Sequence, residues 1–97
     1  MRIEILDEAE ADLIEGFHFY ERQETGLGWY FLDSLFSDID SLFIYAGTHN
    51  TVHGYHRCLA KRFPFAVYYL VEGEMIRIYA VLDCHRNPAW TRKRLEK

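Results

Sequence analysis

The chain has 97 residues, 49% of them hydrophobic and 16% aromatic, which suits one domain with one core and excludes a disordered chain. The net charge of −4 is divided unevenly: residues 1–54 carry two basic residues against eleven acids, whereas residues 55–97 carry nine against four. The acidic half argues against general nucleic-acid binding, and the basic half suits an acidic partner. The first residues turn acidic too early for a secretory signal, and no apolar run of about 18 residues occurs, so we expect a cytoplasmic protein.

The first 28 residues predict a strand, a helix and a turn. Alternating apolar positions over residues 2–6 predict a short strand with one buried face. Asp7 and Glu10 have the spacing of a capping box, which predicts that a helix begins near Glu8. Apolar residues then recur every three or four positions, so this helix has one packed face and one acidic face. Gly26-Leu27-Gly28 interrupts the pattern and predicts a reversal of the chain.

Residues 29–46 predict the longest helix, which ends at Gly47. Its apolar stripe comprises Phe31, Leu32, Leu35, Phe36, Ile39, Leu42, Phe43 and Ala46. An aromatic stripe with this spacing is far more often core than a cofactor surface, so we expect the helix pair to be buried scaffold.

Beyond residue 54 the apolar pattern changes from a helical period to a period of two. Residues 48–54 are polar and predict a surface loop. Antiparallel strands are predicted over residues 55–60, 65–71 and 75–82, and a last helical turn over residues 88–95. The predicted fold class is α+β: an N-terminal strand, a helical hairpin and a three-stranded antiparallel meander, forming one sheet packed on the helices in a single domain of residues 1–97.

Histidine and cysteine residues give only weak signals for other chemistry. His49, His53 and His56, with Cys58 two residues on, are zinc-type ligands, but no second pair matches and solvated loop histidines are the commoner outcome. Cys58 and Cys84 lack CxxC spacing and stand in strand-like segments, so we expect reduced thiols in or near the core. We predict neither a metal nor a cofactor.

Several motifs occur in an order that resembles a known family. They are Phe19-Tyr20-Glu21, Gly26-Leu27-Gly28, Arg57, Arg62-Phe63-Pro64-Phe65, Tyr68-Tyr69, Ala80-Val81, Arg86-Asn87-Pro88, Trp90 and Arg92. Over nearly the whole chain, their order and spacing resemble the RelE/ParE superfamily, the toxins of type II toxin-antitoxin systems, and in particular ParE-like plasmid stabilisation proteins. The resemblance implies an antiparallel sheet backed by a helical hairpin. It also implies a growth inhibitor that is silenced when the C-terminal segment of a co-expressed antitoxin wraps the toxin.

One branch of this superfamily consists of ribonucleases that cut messenger RNA on the ribosome. Such cleavage needs a base, an acid and cations where phosphate charge develops. At the matching positions this chain has Phe65, Cys84 and Trp90, and the indole of tryptophan can donate a hydrogen bond but cannot shuttle a proton. The resemblance therefore implies an incomplete catalytic set, and we assign no catalytic residue.

His85 keeps an enzymatic alternative open, because its imidazole titrates near neutral pH. In that alternative, His85 acts with Arg57, Arg62 and Arg86. A histidine after a strand is more often an ordinary surface residue. The gyrase-directed branch of the superfamily needs a complementary surface and no such catalytic set.

The predicted partner-binding surface lies in the basic half. It comprises Arg57, Lys61, Arg62, Phe63, Arg86, Trp90 and Arg92. Phe63 is either a docking side chain or part of a packed turn, and the arginines either form a patch or pair with acids such as Glu10 and Asp83. We expect the run Arg92-Lys93-Arg94 to be a mobile end that orders when an acidic amphipathic helix of the antitoxin binds.

Three hypotheses therefore stand. The first is an antitoxin-neutralised inhibitor of DNA gyrase; the second is a ribosome-dependent endoribonuclease that cuts messenger RNA; the third is a non-toxic orphan relative that only binds an antitoxin. All three predict an antitoxin partner, no membrane, and oligomers only through the antitoxin or as a weak dimer.

Overall fold

The computed structural model describes residues 1–96, which form a five-stranded sheet with a helical hairpin on one face. The strands are β1 (Arg2–Ile5), β2 (Thr51–Val52), β3 (Tyr55–Leu59), β4 (Phe65–Glu72) and β5 (Met75–Asp83), and the helices are α1 (Asp7–Gln23), α2 (Leu27–Asp40), α3 (Leu42–Tyr45) and α4 (Pro88–Leu95). The sheet order is β1-β5-β4-β3-β2; β1 runs parallel to β5, and the other pairs are antiparallel. The α+β prediction is confirmed. Over residues 1–96, every helix is too short or too polar to cross a bilayer.

Both faces of the sheet carry an apolar layer. The larger layer lies between the sheet and the hairpin, where Phe31 and Leu35 of α2 join Tyr69 and Ile78 of the sheet, all fully buried. On the opposite face lies a smaller layer of Tyr55, Ala66, Tyr68, Ala80 and Leu82, against which Leu95 of α4 packs. The register of β4 with β5 shifts between Tyr68 and Tyr69, which is a bulge in the ladder. The hairpin and α4 therefore cover opposite faces of one sheet.

Glycines let the two long helices approach closely. A Cβ added to Gly16 of α1 would lie 2.5 Å from the ring of Phe31. A Cβ added to Gly28 of α2 would lie 2.6 Å from the carbonyl oxygen of Phe17. Both distances are far shorter than van der Waals separation. The close crossing of α1 and α2 therefore requires glycine, which has no side chain, at positions 16 and 28.

The capping box expected at the start of α1 is wrong. Leu6 precedes the helix in an extended conformation, and no side chain caps it. Asp7 is already helical, so its carboxylate is not placed to accept from the next amides as an N-cap residue would. Instead, a distant carboxylate serves α2: Glu21 accepts hydrogen bonds from the Gly26 and Gly28 amides, each at 2.9 Å. Gly26 has φ 92°, which supplies the expected reversal.

The helix predicted over residues 29–46 begins two residues earlier and is divided. α2 ends at Asp40 and α3 begins at Leu42, with Ser41 between them. The Ser41 hydroxyl donates to the Asp38 carbonyl oxygen at 2.5 Å, a side-chain bond that often bends a helix. Ser41 nevertheless keeps helical dihedral angles, and its amide bonds to the Ser37 carbonyl. α3 therefore continues the course of α2.

The surface loop predicted over residues 48–54 contains a strand. β2 pairs antiparallel with β3 over two residues, and His53 and Gly54 form the turn between them with φ of 53° and 86°. Two residues are too few to show an alternating pattern, so the sequence did not reveal this strand.

Two expectations about burial are also wrong. Phe36 and Phe43 of the predicted core stripe are 41% and 53% exposed, because the sheet covers only the side of the helix that carries Phe31 and Leu35. Cys84 follows β5 and is exposed, whereas Cys58 is buried as expected; both thiols are free.

Candidate functional site

A cleft of about 660 Å³ opens where α1, the end of β5 and α4 meet. Its charged and aromatic lining consists of Asp12, Glu15, Asp83, Arg22, Arg86, Arg94, His85, Phe19, Phe65 and Trp90. The cleft thus combines charges of both signs with apolar and aromatic surface, a composition that resembles a protein-docking surface.

Asp12 links three elements in this cleft. Its carboxylate accepts hydrogen bonds from Nη2 of Arg94 at 2.8 and 2.9 Å and from the Val81 amide at 3.0 Å. Val81 lies beyond Ile78, the last residue of β5 that pairs with β1, so the carboxylate takes the place of a strand partner. Burial raises the pKa of Asp12, although the Val81 hydrogen bond and the Arg94 charge oppose this effect.

The run Arg92-Lys93-Arg94 lies in α4, and the expectation of a mobile end is wrong. The Asn87 side chain caps the helix by accepting from the Ala89 amide at 2.8 Å. Leu95 is buried against the sheet, and the Arg94 side chain is only 19% exposed beside Asp12. Two independent contacts, one apolar and one ionic, therefore dock this helix.

Arg86 and Trp90 form a pair at the edge of the cleft. The guanidinium carbon of Arg86 lies 4.2 Å from the centroid of the Trp90 ring, which is a cation–π contact. Arg86 also bonds to the Glu15 carboxylate at 3.3 Å. An acid does pair with this arginine, but it is neither Glu10 nor Asp83.

Arg57 lies on the face of the sheet opposite the hairpin, outside the lining of the cleft. Its Nε donates to the Tyr68 hydroxyl at 3.1 Å, and its Nη2 lies 3.6 Å from the Cys84 sulfur. Burial alone would lower the pKa of Arg57, but the Tyr68 hydroxyl and the Cys84 thiol outweigh burial and raise it. The guanidinium therefore presents a permanent charge on this face.

The remaining predicted partner-binding residues of the β3–β4 connection differ in exposure. Lys61 and Arg62 are exposed. Phe63 is partly buried, with its ring centroid 4.8 Å from that of Tyr20 and 5.2 Å from that of Phe31. Phe63 thus packs against rings of both hairpin helices and against the core cluster.

Three of the alternative catalytic residues bond to three different partners. His85 is 79% exposed, with Nδ1 3.2 Å from the Asp83 carboxylate. Arg57 is held by Tyr68, and Arg86 by Glu15. Among the hydrogen bonds and ion pairs of residues 1–96, none joins two of these candidate side chains.

The three positions at which the sequence resemblance implied an incomplete catalytic set, Phe65, Cys84 and Trp90, also have other contacts. Phe65 is 7% exposed, and its ring lies 4.9 Å from the Phe31 ring in the hairpin layer. Cys84 lies beside Arg57, and the Trp90 ring is covered by Arg86. Phe65, Cys84 and Trp90 therefore contact a ring or a guanidinium group.

The predicted zinc-type residues do not converge. Over the described part of the chain, no three His, Cys, Asp or Glu side chains are grouped to hold a metal ion. His49 Nδ1 lies 2.5 Å from the Tyr69 hydroxyl, and His56 Nδ1 lies 2.7 Å from the His49 carbonyl. The Tyr69 hydroxyl oxygen also accepts a hydrogen bond from the Gly47 amide at 3.0 Å. The hydroxyl proton can then be donated to Nδ1 of a neutral His49. Burial and the nearby His56 lower the pKa of His49, which favours this neutral form.

Sequence reasoning identified Arg86, Trp90 and His85 in the cleft but missed Asp12 and Arg94. These two lie 82 residues apart and meet only because α4 folds back onto α1. The signals in the sequence were Asp12 on the first predicted helix and the basic run Arg92-Lys93-Arg94 near the other end of the chain, and neither indicates the other as its partner.

Neither a protein-family model nor a curated protein matches this sequence. Among solved structures, a chain described as "Chromosomal ParDE TA system from P. aeruginosa" matches with a TM-score of 0.72 and 21% sequence identity. The match covers 84% of this chain and 92% of that chain. At this identity, the likeness shows a shared fold.

Proposed function

We propose that this chain is the toxin of a type II toxin-antitoxin pair, neutralised by a cognate antitoxin in the cytoplasm, and that it inhibits DNA gyrase. The observation that carries the proposal is the fold shared with a chain of the ParDE system from P. aeruginosa over 84% of this chain. The ParE-like order of sequence motifs supports it independently.

The antitoxin-binding surface is proposed to centre on the cleft between α1 and α4. Arg86 and Trp90 line this cleft, and Phe19 adds a second aromatic ring that is 48% exposed. An acidic amphipathic helix could place apolar side chains against these rings.

Exposed basic residues supply the charge complementarity for such a helix. Among residues 1–96, Lys61, Arg62 and Arg92 take part in no ion pair, whereas Arg86 is partly neutralised by Glu15. Arg57 adds a charge on the face of the sheet opposite the hairpin. Phe63 contributes to this surface indirectly: its packing fixes the turn on which Lys61 and Arg62 are exposed.

Gyrase inhibition is favoured over RNA cleavage because inhibition requires a binding surface alone. Cleavage requires a proton acceptor and a proton donor on opposite sides of one phosphate. Among residues 1–96, His85 pairs with Asp83 alone, and no arginine of the alternative set bonds to it.

The test is to express the chain alone and to compare gyrase-linked DNA breaks with transcript cleavage in the arrested cells. Breaks without cleavage support the proposal. Transcript cleavage that is lost in His85→Ala, but kept in the exposed control His18→Ala, would establish the ribonuclease instead. Neither effect, together with tight antitoxin binding, would identify a non-toxic relative.

A further inference from the structure

The outer face of α2 and α3 carries large apolar side chains that the domain leaves uncovered. Trp29 is 62% exposed, Phe36 41%, Phe43 53% and Ile44 78%. Phe36 and Phe43 were expected in the core, yet the sheet covers only the opposite side of the helix. None of them lines the cleft between α1 and α4.

Helix geometry places these side chains in one stripe. With about 100° of rotation per residue, positions 29, 36, 43 and 44 fall within an arc of about 100°. Asp33 and Asp40 fall within the same arc, so acids alternate with aromatic rings. The stripe is about 21 Å long from Trp29 to Phe43. It continues across Ser41 because that residue keeps helical dihedral angles.

The charge on this face has one sign. Residues 23–56 contain no lysine or arginine. Asp33 and Asp40 are both exposed, and the ion pairs formed among residues 1–96 use other acids. The electrostatic complement of the stripe is therefore a cationic surface.

The size of the stripe indicates what kind of partner fits. Its four apolar side chains expose on the order of 400 Å², more than scattered surface residues and within the range of functional patches. A stable dimer interface usually needs about 800 Å² from each partner. A second copy related by a two-fold axis would also place Asp33 and Asp40 of both copies side by side. A single amphipathic helix fits both the area and the shape.

We propose that the α2–α3 stripe, formed by Trp29, Asp33, Phe36, Asp40, Phe43 and Ile44, is a docking surface for a basic amphipathic helix of a partner protein. The apolar side chains of that helix pack between the rings, and its lysines or arginines pair with the two aspartates. This surface shares no residue with the cleft, and its charged residues are all acidic, whereas the cleft is lined by charges of both signs. The inference therefore goes beyond the proposed function and does not depend on it.

The test uses two synthetic amphipathic helices of about 18 residues, or five turns, built from leucine and alanine with either lysine or glutamate. Trp90→Phe leaves Trp29 as the only tryptophan, so its fluorescence reports binding at the stripe. We expect the lysine helix to bind at least about tenfold more tightly than the glutamate helix. Asp33→Lys with Asp40→Lys should reverse this preference, whereas Glu10→Lys, which changes an exposed acid on α1, should leave it unchanged.

Circular dichroism verifies that each variant is folded before titration. Phe36→Ala should weaken lysine-helix binding without changing which helix is preferred. Equal binding of both helices, or a preference that survives the double charge reversal, would overturn the proposal. So would self-association that Phe36→Ala abolishes in sedimentation experiments, because the occupant would then be a second copy.

Discussion

Gly28→Ala sets two effects against each other, and their magnitudes decide the outcome. In an exposed helix, alanine is favoured over glycine by about 0.5–1 kcal/mol. At Gly28, however, the new Cβ would lie 2.6 Å from the Phe17 carbonyl oxygen and 2.9 Å from the Glu21 Cβ. The oxygen belongs to the backbone of α1, so only a separation of the helices can relieve the contact. Overpacking of this kind costs about 1–3 kcal/mol, so we expect a net loss of about 1–2 kcal/mol.

For a domain of this length, that loss lowers the melting temperature by roughly 5–15 °C. Thermal and urea unfolding followed by circular dichroism measure it. Ser37→Ala is the matched control, because Ser37 is exposed on the same helix and alanine should be neutral or slightly stabilising there. A Gly28→Ala protein as stable as the wild type would refute the close helix crossing.

Gly16→Ala sharpens the argument because its clash has a different origin. The added Cβ would meet the side chain of Phe31 at 2.5 Å. Phe31→Leu should therefore recover part of the loss caused by Gly16→Ala, giving a favourable coupling in a double-mutant cycle. Phe17→Leu should not recover the loss caused by Gly28→Ala to the same extent, because the shortest contact there is to a backbone oxygen.

Two further predictions concern titratable groups. The pKa of His49 is lowered in the folded state, so its contribution to stability is complete above about pH 6.5 and is lost as the pH falls below that value. His49→Gln should therefore reduce the change in the urea midpoint between pH 7.5 and pH 5. Arg94→Ala should cost about 1–2 kcal/mol at pH 7, because Asp12 keeps its charge without its partner. Protonation of Asp12, whose pKa is already raised, should shrink that deficit as the pH is lowered. Arg77→Ala, which removes two exposed ion pairs, should cost less at pH 7. A pH-independent Arg94→Ala deficit would contradict the assigned pair.

The sequence predicted the elements that are long enough to show a periodic pattern of apolar residues. The strands β3, β4 and β5 and the helices α1 and α4 are all close to their predicted bounds. β2 was missed because it has two residues and its pairing comes from β3, not from its own pattern. The capping box failed because the chain enters α1 directly from a hydrogen-bonded strand end at Leu6.

Burial was harder to predict than secondary structure. The periodicity of residues 29–46 gives the helix but not how much of its circumference the sheet covers, so Phe36 and Phe43 were placed in the core. In the site, Arg86 and Trp90 were each named as partner-binding residues, but their contact was not predicted, because Arg86 precedes the start of α4 at Pro88. The Asp12–Arg94 pair was not predicted either, because it depends on where α4 docks.

The proposed role of this chain, a toxin held inactive by an antitoxin, can be tested in growing cells. The most direct test is growth of cells that express the chain alone or together with the protein encoded by the adjacent gene. We predict growth arrest with the chain alone, recovery on co-expression, and a purified complex with a raised melting temperature. Normal growth with the chain alone and no binding of the neighbouring protein would contradict the claim.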